Sequence, residues 1–240
     1  MSSTINYSLE RLLEEDGGRQ HILAELARIQ RDYRIAGGKV IELGCGHGRN
    51  LAVFQGANEV SGVEGLASAV EHARSRGLNV LQADLAAPLP LPTAAFDCVM
   101  LLDVLEHLEW PQRCLQEAAR IARPGGLVIV NLPNHFTMTA RVRILLGRGG
   151  VEAVGYFPES AVWDYPHLRF FQHRSATALL ASAGLQIVED RSFMFPAVPM
   201  SHELRKVGLG RLLPGLARRY PDAFAAGFFL IARRPEGATT

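Results

Sequence analysis

The run Val40-Ile41-Glu42-Leu43-Gly44-Cys45-Gly46-His47-Gly48-Arg49-Asn50 sets a short apolar stretch, a carboxylate and three alternating glycines in succession. Glycine lets a backbone turn sharply and approach a ligand with no Cβ in the way. The chain downstream repeats the strand-to-helix rhythm that this turn begins. Lys39–Leu43, residues 59–63, Asn79–Gln82, Phe96–Leu102 and residues 127–130 read as strands. Helices are expected near residues 50–55, over 66–76 with Gly77 ending the run, and from about 111 to 122. The last of these is opened by proline and stopped by Pro124-Gly125-Gly126. Alternation of this kind predicts an α/β fold, a parallel sheet with helices on both faces. Strands buried on both sides account for continuous apolar runs such as Val99-Met100-Leu101-Leu102.

Upstream, Ile22, Leu26, Ile29 and Tyr33 step at helical spacing, and Gly17-Gly18 separates this helix from a shorter first one. Downstream of Asn131 the rhythm loosens. A basic helix over 139–146 leads into a Gly-rich, aromatic segment that runs to Phe171. A helix over 175–183 capped by Gly184, a strand over 185–188, a second irregular insertion and a strand over 228–233 follow. The expected organisation is one domain over 1–240. It comprises N-terminal helices in 1–36, a ligand-binding core in 37–134, and substrate-side insertions in 135–174 and 193–226.

With 48% hydrophobic and 20% charged residues in 240, the chain can bury a substantial core, which excludes wholesale disorder. A formal net charge of +1 gives no global attraction for nucleic acid, and none is expected as a partner. Cys45, Cys98 and Cys114 have neither metal-ligand nor disulfide spacing and read as reduced small residues. Together with a polar, acidic start lacking an apolar signal core, they predict a cytoplasmic location. No apolar run approaches the ~20 residues of a membrane span, so no transmembrane segment is expected.

A GxGxG string alone is compatible with a plain tight turn. Three features point to a ligand. The spacing differs from the GxGxxG that receives a dinucleotide pyrophosphate. Glu42 directly before the loop would oppose a phosphate but suits an ammonium group. Glu64, after the second strand, can accept both hydroxyls of a ribose, and Asp84, after the third, can accept from an adenine amino group. Three carboxylates after three successive strands fit a cationic sulfonium nucleoside.

With the stretches ELGCGHG (42–48), GVEG (62–65), Asp84-Leu85, FDCVMLLDVLEHL (96–108) and RPGGLVIVNLPN (123–134), residues 40–131 resemble the class I S-adenosylmethionine-dependent methyltransferases. The resemblance implies a Rossmann-like, seven-stranded, mostly parallel sheet with its last strand antiparallel. S-adenosylmethionine would lie across the carboxyl ends of the first strands and leave as S-adenosylhomocysteine. It would be held by Glu42, Gly44, Cys45, Gly46, Gly48, Glu64, Gly65, Asp84, Leu85, Leu102 and Asp103.

His107, in the segment that lies beside the methionine moiety in that family, is the first candidate general base for a hydroxyl acceptor. The Glu106-His107 pair equally suits a hydrogen-bonded loop anchor. No metal is expected, because the sequence supplies no decisive third and fourth ligand next to Glu106 and His107. The acceptor should meet the insertions, where residues 131–135 and 166–171 carry the conspicuous polar groups. His167 is the second catalytic candidate, and Arg169 is a further contact; both also suit a packed lid. Phe170 and Phe171 read as core or lid anchors, and Trp163 and Tyr165 as an exposed platform.

The stretch 166–171 resembles methyltransferases of polysaccharide and glycan clusters, and methionine biosynthesis protein W. That implies O-methylation of a small-molecule or glycan hydroxyl. N-methylation of an amine, or a non-catalytic cofactor-binding partner role, is the alternative. Arg141, Arg143 and Arg148 near one helix, and Arg205, Lys206, Arg211, Arg218 and Arg219 against Glu203 in the second insertion, could receive an anionic acceptor or a membrane surface. A solvated helix face is the default for such a run.

Overall fold

The computed structural model describes residues 20–147, 167–194, 197, 206 and 209–237. The expected first helix and Gly17-Gly18, together with Arg148, Trp163, Tyr165, Pro166, Glu203 and Arg205, lie outside the described residues.

Helix α1 (Gln20–Asp32) turns Ile22, Leu26 and Ile29 inward, as its spacing predicts. Strand β1 (Lys39–Leu43), the glycine loop and a short 3-10 turn (Asn50–Val53) follow. Next come β2 (Glu59–Glu64), α2 (Ala67–Ser75), β3 (Asn79–Gln82) and β4 (Phe96–Leu102). A 3-10 turn at Leu105–His107 precedes α3 (Pro111–Ile121) and β5 (Ala122–Pro133). Helix α4 (Met138–Leu145) belongs to the first insertion. After it come α5 (His173–Ser182), β6 (Gln186–Asp190), α6 (Leu213–Arg219), α7 (Pro221–Phe224) and β7 (Gly227–Arg233).

The strands form one seven-stranded sheet in the order β3-β2-β1-β4-β5-β7-β6. All neighbouring pairs are parallel except those made by β7, which runs antiparallel to β5 and β6. This is the Rossmann-like arrangement that the sequence predicts.

Side chains alternate across the sheet and so build two cores. Ile41, Leu43, Val99, Leu101, Val128 and Val130 face one layer, where α3 contributes Leu115 and Ile121 and α5 contributes Leu180. Val40, Cys98, Met100, Leu102 and Ile129 face the other, against Leu26 and Ile29 of α1, Val70 of α2 and Phe54. Burying each large apolar side chain contributes about 1.5–3 kcal/mol.

Most boundaries shift by a residue or two from the sequence expectation, and two differ in a way that matters here. The helix expected over 50–55 is only the 3-10 turn, and α5 starts at His173. There Gln172 and Ser175 form a capping box, and Asp222 Oδ1 accepts from the His173 N–H at 2.6 Å. More informative is β5. Pro124-Gly125-Gly126 interrupts no strand, since Phe96 pairs with Ala122 and Cys98 already pairs with Leu127. The intervening residues bulge out, with Gly125 at φ +73° and its N–H donating to Arg234 O at 2.8 Å. A Cβ on Gly126 would lie 2.8 Å from Arg123 O, so the bulge requires glycine. Among the described residues no helix is long and apolar enough to cross a membrane.

Candidate functional site

The carboxyl edge of the parallel strands carries the candidate site. The glycine loop is folded back against β2, with the N–H groups of Gly44 and Cys45 donating to Val63 O at 2.8 and 3.1 Å. Gly44, Gly46 and Gly48 take φ of +76°, +53° and +85°. A Cβ on Gly44 would fall 2.5 Å from Val104 Cγ2, and one on Gly48 would strike Leu78. The loop therefore needs glycine for backbone angle and for space.

Glu64, the last residue of β2, pins this loop. Its Oε2 accepts from the Gly46 N–H at 2.8 Å, and its Oε1 accepts from the Leu66 N–H at 2.9 Å. An ionised carboxylate accepts about four hydrogen bonds, so each oxygen retains capacity for a further donor. Glu42 is buried, with Oε1 accepting from Asn50 Nδ2 at 2.7 Å. Asp84 Oδ1 accepts from the Ala86 N–H at 2.9 Å, which shapes the turn after β3 and places Leu85 beside Gly44. A Cβ on Gly65 would meet nothing nearer than Ala83 O at 3.7 Å, so the main chain is open here. Acidic groups at the carboxyl ends of β1 and β2 and just after β3 thus stand beside a loop of glycine backbone. That donor set suits a cationic nucleoside carrying a ribose diol and an amino acid.

Cys45 contributes main chain only. Its sulfur packs over Gly62, where a Cβ would collide with it. Burial, reinforced by Glu42 and Glu64, pushes its thiol pKa far up, so it stays protonated. Burial likewise pushes the Cys98 and Cys114 thiols up to about 12. All three thiols are thus inert core groups.

The rim after β4 forms the second half of the site. Leu102 is buried. Asp103 sits at φ +55°, donates its N–H to Asn131 O at 3.1 Å and accepts from Asn131 Nδ2 at 2.6 Å. Asp103 therefore ties β4 to β5. The following turn presents Glu106 and His107. The main-chain oxygen of Glu106 accepts from the N–H groups of Leu168 and Arg169 at 2.7 and 3.0 Å, which seats His167 against the rim. The Arg169 guanidinium reinforces that seat by donating to Glu109 O at 2.6 Å and to Leu168 O at 2.9 Å. Its role here is to hold main chain.

The structure brings His107 and His167 together, with ring centroids 4.7 Å apart. Glu106 Oε1, nearly sealed from solvent, lies 3.9 Å from His107 Nε2 and 4.0 Å from His167 Nε2. His135, just past β5, approaches His167 with Nε2 2.7 Å from its Nδ1. Burial, and to a lesser degree His107, holds the His135 imidazole below its usual pKa. Asn134 fixes this end of β5, with Nδ2 donating to Ala225 O at 2.8 Å and Oδ1 accepting from the Phe136 N–H at 2.9 Å. Phe171 is buried, as expected of an anchor, whereas Phe170 is half exposed and packs edge-on to His135.

The sequence places His135 among the acceptor-side polar groups of 131–135, but it shows neither the approach of His135 to His167 nor Glu106 between two imidazoles. The available signal is positional, because His107 and His135 follow neighbouring strands β4 and β5 and so share one edge. His167 also reaches Glu106 and His107 across the fold, a proximity that the sequence spacing does not show. Of the described basic groups, Arg218 lies over the Phe193 ring, Arg219 over Tyr220, and Arg141 Nε donates to Phe136 O at 2.7 Å.

The family described as methyltransferase domain matches residues 41–130. In Mycobacterium tuberculosis, the protein named probable S-adenosylmethionine-dependent methyltransferase MT3114 is 42% identical over 104 residues. That alignment takes in 42% of this chain and 37% of the relative. The chain thus spans about two fifths of the length of the first curated relatives it matches. The 27-O-demethylrifamycin SV methyltransferase of Amycolatopsis mediterranei is 33% identical over 231 residues, covering 84% of this chain and 79% of the relative. Among solved structures, a SAM-dependent methyltransferase of Archaeoglobus fulgidus superposes with a TM-score of 0.58 at 19% identity, covering 93% of this chain and 99% of the other. With the acidic strand ends and glycine loop in place, the cofactor is S-adenosylmethionine, and the chain belongs to the class I S-adenosylmethionine-dependent methyltransferases.

Proposed function

We propose that the chain transfers the methyl group of S-adenosylmethionine to a hydroxyl of a small molecule or glycan. The observation that carries this reading is the group of His107, His167 and Glu106 on the rim that touches the glycine loop. Val104 fills the space over Gly44, so the acceptor side and the donor side share a wall. S-adenosylmethionine, when bound, supplies an electrophilic methyl on a sulfonium, and the reaction is an in-line displacement.

In this reading Glu64 accepts from the ribose hydroxyls while still holding Gly46 and Leu66. Glu42 faces the amino-acid end, and Asp84 with Leu85 borders the adenine. Gly44, Gly46, Gly48 and Gly65 present main chain, and Leu102 and Asp103 close the rim beneath the reacting end. An alcohol must shed its proton as it attacks, and a positioned imidazole is the usual acceptor for it. His107 takes that proton, and His167 holds the acceptor oxygen in line. The name of the Amycolatopsis relative specifies methylation at an oxygen. So does that of a ubiquinone biosynthesis O-methyltransferase of Chromobacterium violaceum, 27% identical over 168 residues.

Calorimetry with S-adenosylhomocysteine, followed by turnover on a panel of polyketide, quinone and sugar hydroxyls, tests the reading. Wild type and His107→Ala should bind S-adenosylhomocysteine alike, with turnover in the variant slowed by roughly 10²–10⁴-fold. Wild type that fails to bind S-adenosylhomocysteine would refute the cofactor assignment. Unchanged turnover in His107→Ala would remove that residue from proton transfer.

A further inference from the structure

We infer that Glu106, His107 and His167 form a binding site for one divalent transition-metal ion, which holds and acidifies the acceptor hydroxyl. The inference rests on the proposed function only for what the ion would bind, not for the site itself.

One carboxylate oxygen and two imidazole nitrogens from these residues all lie within 4.8 Å of one another. At 3.9 and 4.0 Å, the Glu106 Oε1 distances to His107 Nε2 and His167 Nε2 are too long for direct hydrogen bonds. They are slightly wider than the separation of ligands around an ion. Bonds of about 2.1 Å in a tetrahedral shell put neighbouring ligand atoms about 3.4 Å apart, so each of these two distances would close by roughly half an ångström.

Two further observations separate a metal site from a packed stack of histidines. The first is the outer nitrogen of His167. Its Nδ1 lies 2.7 Å from His135 Nε2, and its Nε2 is the atom that faces Glu106. A ligating imidazole whose other nitrogen is bonded to an outer partner is the usual construction of a metal site. The second is how the spacing is fixed. The Leu168 and Arg169 N–H groups on Glu106 O, with the Arg169 guanidinium on Glu109 O, set His167 against Glu106.

Two imidazoles and one carboxylate suit zinc, manganese or iron(II) rather than calcium, which prefers oxygen ligands throughout. A three-residue set leaves coordination positions open for an oxygen ligand. With an ion in place His107 and His167 act as its ligands, and an acceptor hydroxyl bound there loses its proton more readily to solvent water instead of to His107. The oxygen electron pair then forms the new C–O bond while the C–S bond breaks, leaving its pair on sulfur, and the ion is unchanged.

The test uses the untagged full chain, stripped with chelator and titrated with Co(II) and Zn(II) by absorbance and calorimetry. Wild type should take up close to one ion per chain and show the visible bands of cobalt with nitrogen ligands. His167→Ala and Glu106→Gln should abolish uptake, and His135→Gln should weaken it by roughly 10–100-fold. His21→Ala, outside the cluster, should match wild type. Circular dichroism and S-adenosylhomocysteine binding on each variant establish that the fold and donor pocket persist. If a folded wild type takes up no ion, or His167→Ala binds as tightly as wild type, the inference is overturned. A chain that binds S-adenosylhomocysteine but no metal keeps the proposed function and loses this site. One that binds metal at these residues but no S-adenosylhomocysteine keeps the site and loses the proposed function.

Discussion

Arg191 Nη1 donates to Glu25 Oε1 at 2.7 Å, joining the residue that follows β6 to the inward face of α1. Glu25 is as deeply buried as the leucines around it. The guanidinium also holds Asp32 at 2.7 Å and Glu189 at 3.0 Å. Replacing Arg191 with methionine leaves Glu25 charged in an apolar layer, with only the partly exposed Arg28 beside it. The expected cost is about 3–5 kcal/mol in urea unfolding. The pair Arg191→Met with Glu25→Gln should recover much of that loss; if the double variant is no more stable than the single, the buried charge is not the cause.

Gly44→Ala should be more damaging than its size suggests. It forces an L-residue to φ +76° and drives a methyl onto Val104. A loss of about 1–3 kcal/mol is expected, with S-adenosylhomocysteine affinity falling alongside. Adding Val104→Ala removes the collision but not the backbone strain, so rescue should be partial. Complete rescue in thermal melts would show that space alone governs this position.

Glu64 separates pocket shape from ligand contact. Glu64→Gln exchanges a charged acceptor for a neutral one and can keep only one oxygen for Gly46 or Leu66. Glu64→Ala loses both anchors. Charged hydrogen bonds of this kind are worth about 1.5–3 kcal/mol. Calorimetry should therefore show alanine weakening S-adenosylhomocysteine by roughly a hundredfold and glutamine weakening it less. Equal affinity for alanine and wild type would exclude Glu64 from the pocket.

His173 and Asp190 should give the stability a signed pH dependence. His173 Nε2 lies 2.6 Å from Asp190 Oδ2, and this hydrogen bond raises the imidazole pKa against the opposing effect of burial. Burial resists ionisation of Asp190, but hydrogen bonds from His173 and Ser192 outweigh it, and its pKa is lowered. The His173 contribution is complete below its ordinary value of 6.5 and fades as pH rises through the raised one. The Asp190 contribution is complete above 3.8 and fades as pH falls through the lowered one. Both act fully between those ordinary values. Melting temperature should decline as pH rises above about 6.5 in wild type and be flatter in His173→Gln. Parallel curves would assign the slope to other groups.

What the sequence disclosed was whatever is encoded locally. The ends of β1 and β4 follow from apolar stretches closed by Gly44 and by Asp103, and β3 is marked by Val80-Leu81 shortly before Asp84. The strained loop was legible because only glycine tolerates those angles. The bulge in β5 was not, since Pro124-Gly125-Gly126 is a stop signal in isolation. Pairing with β4 and hydrogen bonds from β7, the latter more than a hundred residues on, keep the strand continuous. Nor was the meeting of His135 with His167 legible, because it depends on how the insertion returns to the rim.

The two N–H bonds from residues 168 and 169 to Glu106 O are made by main chain only. Leu168 can thus vary, except to proline, without losing these bonds, while the Arg169 guanidinium on Glu109 O keeps the segment in place. An engineer seeking a new acceptor could randomise Leu168 and Phe170 on this fixed ribbon and change what the methyl meets while leaving where it is delivered untouched.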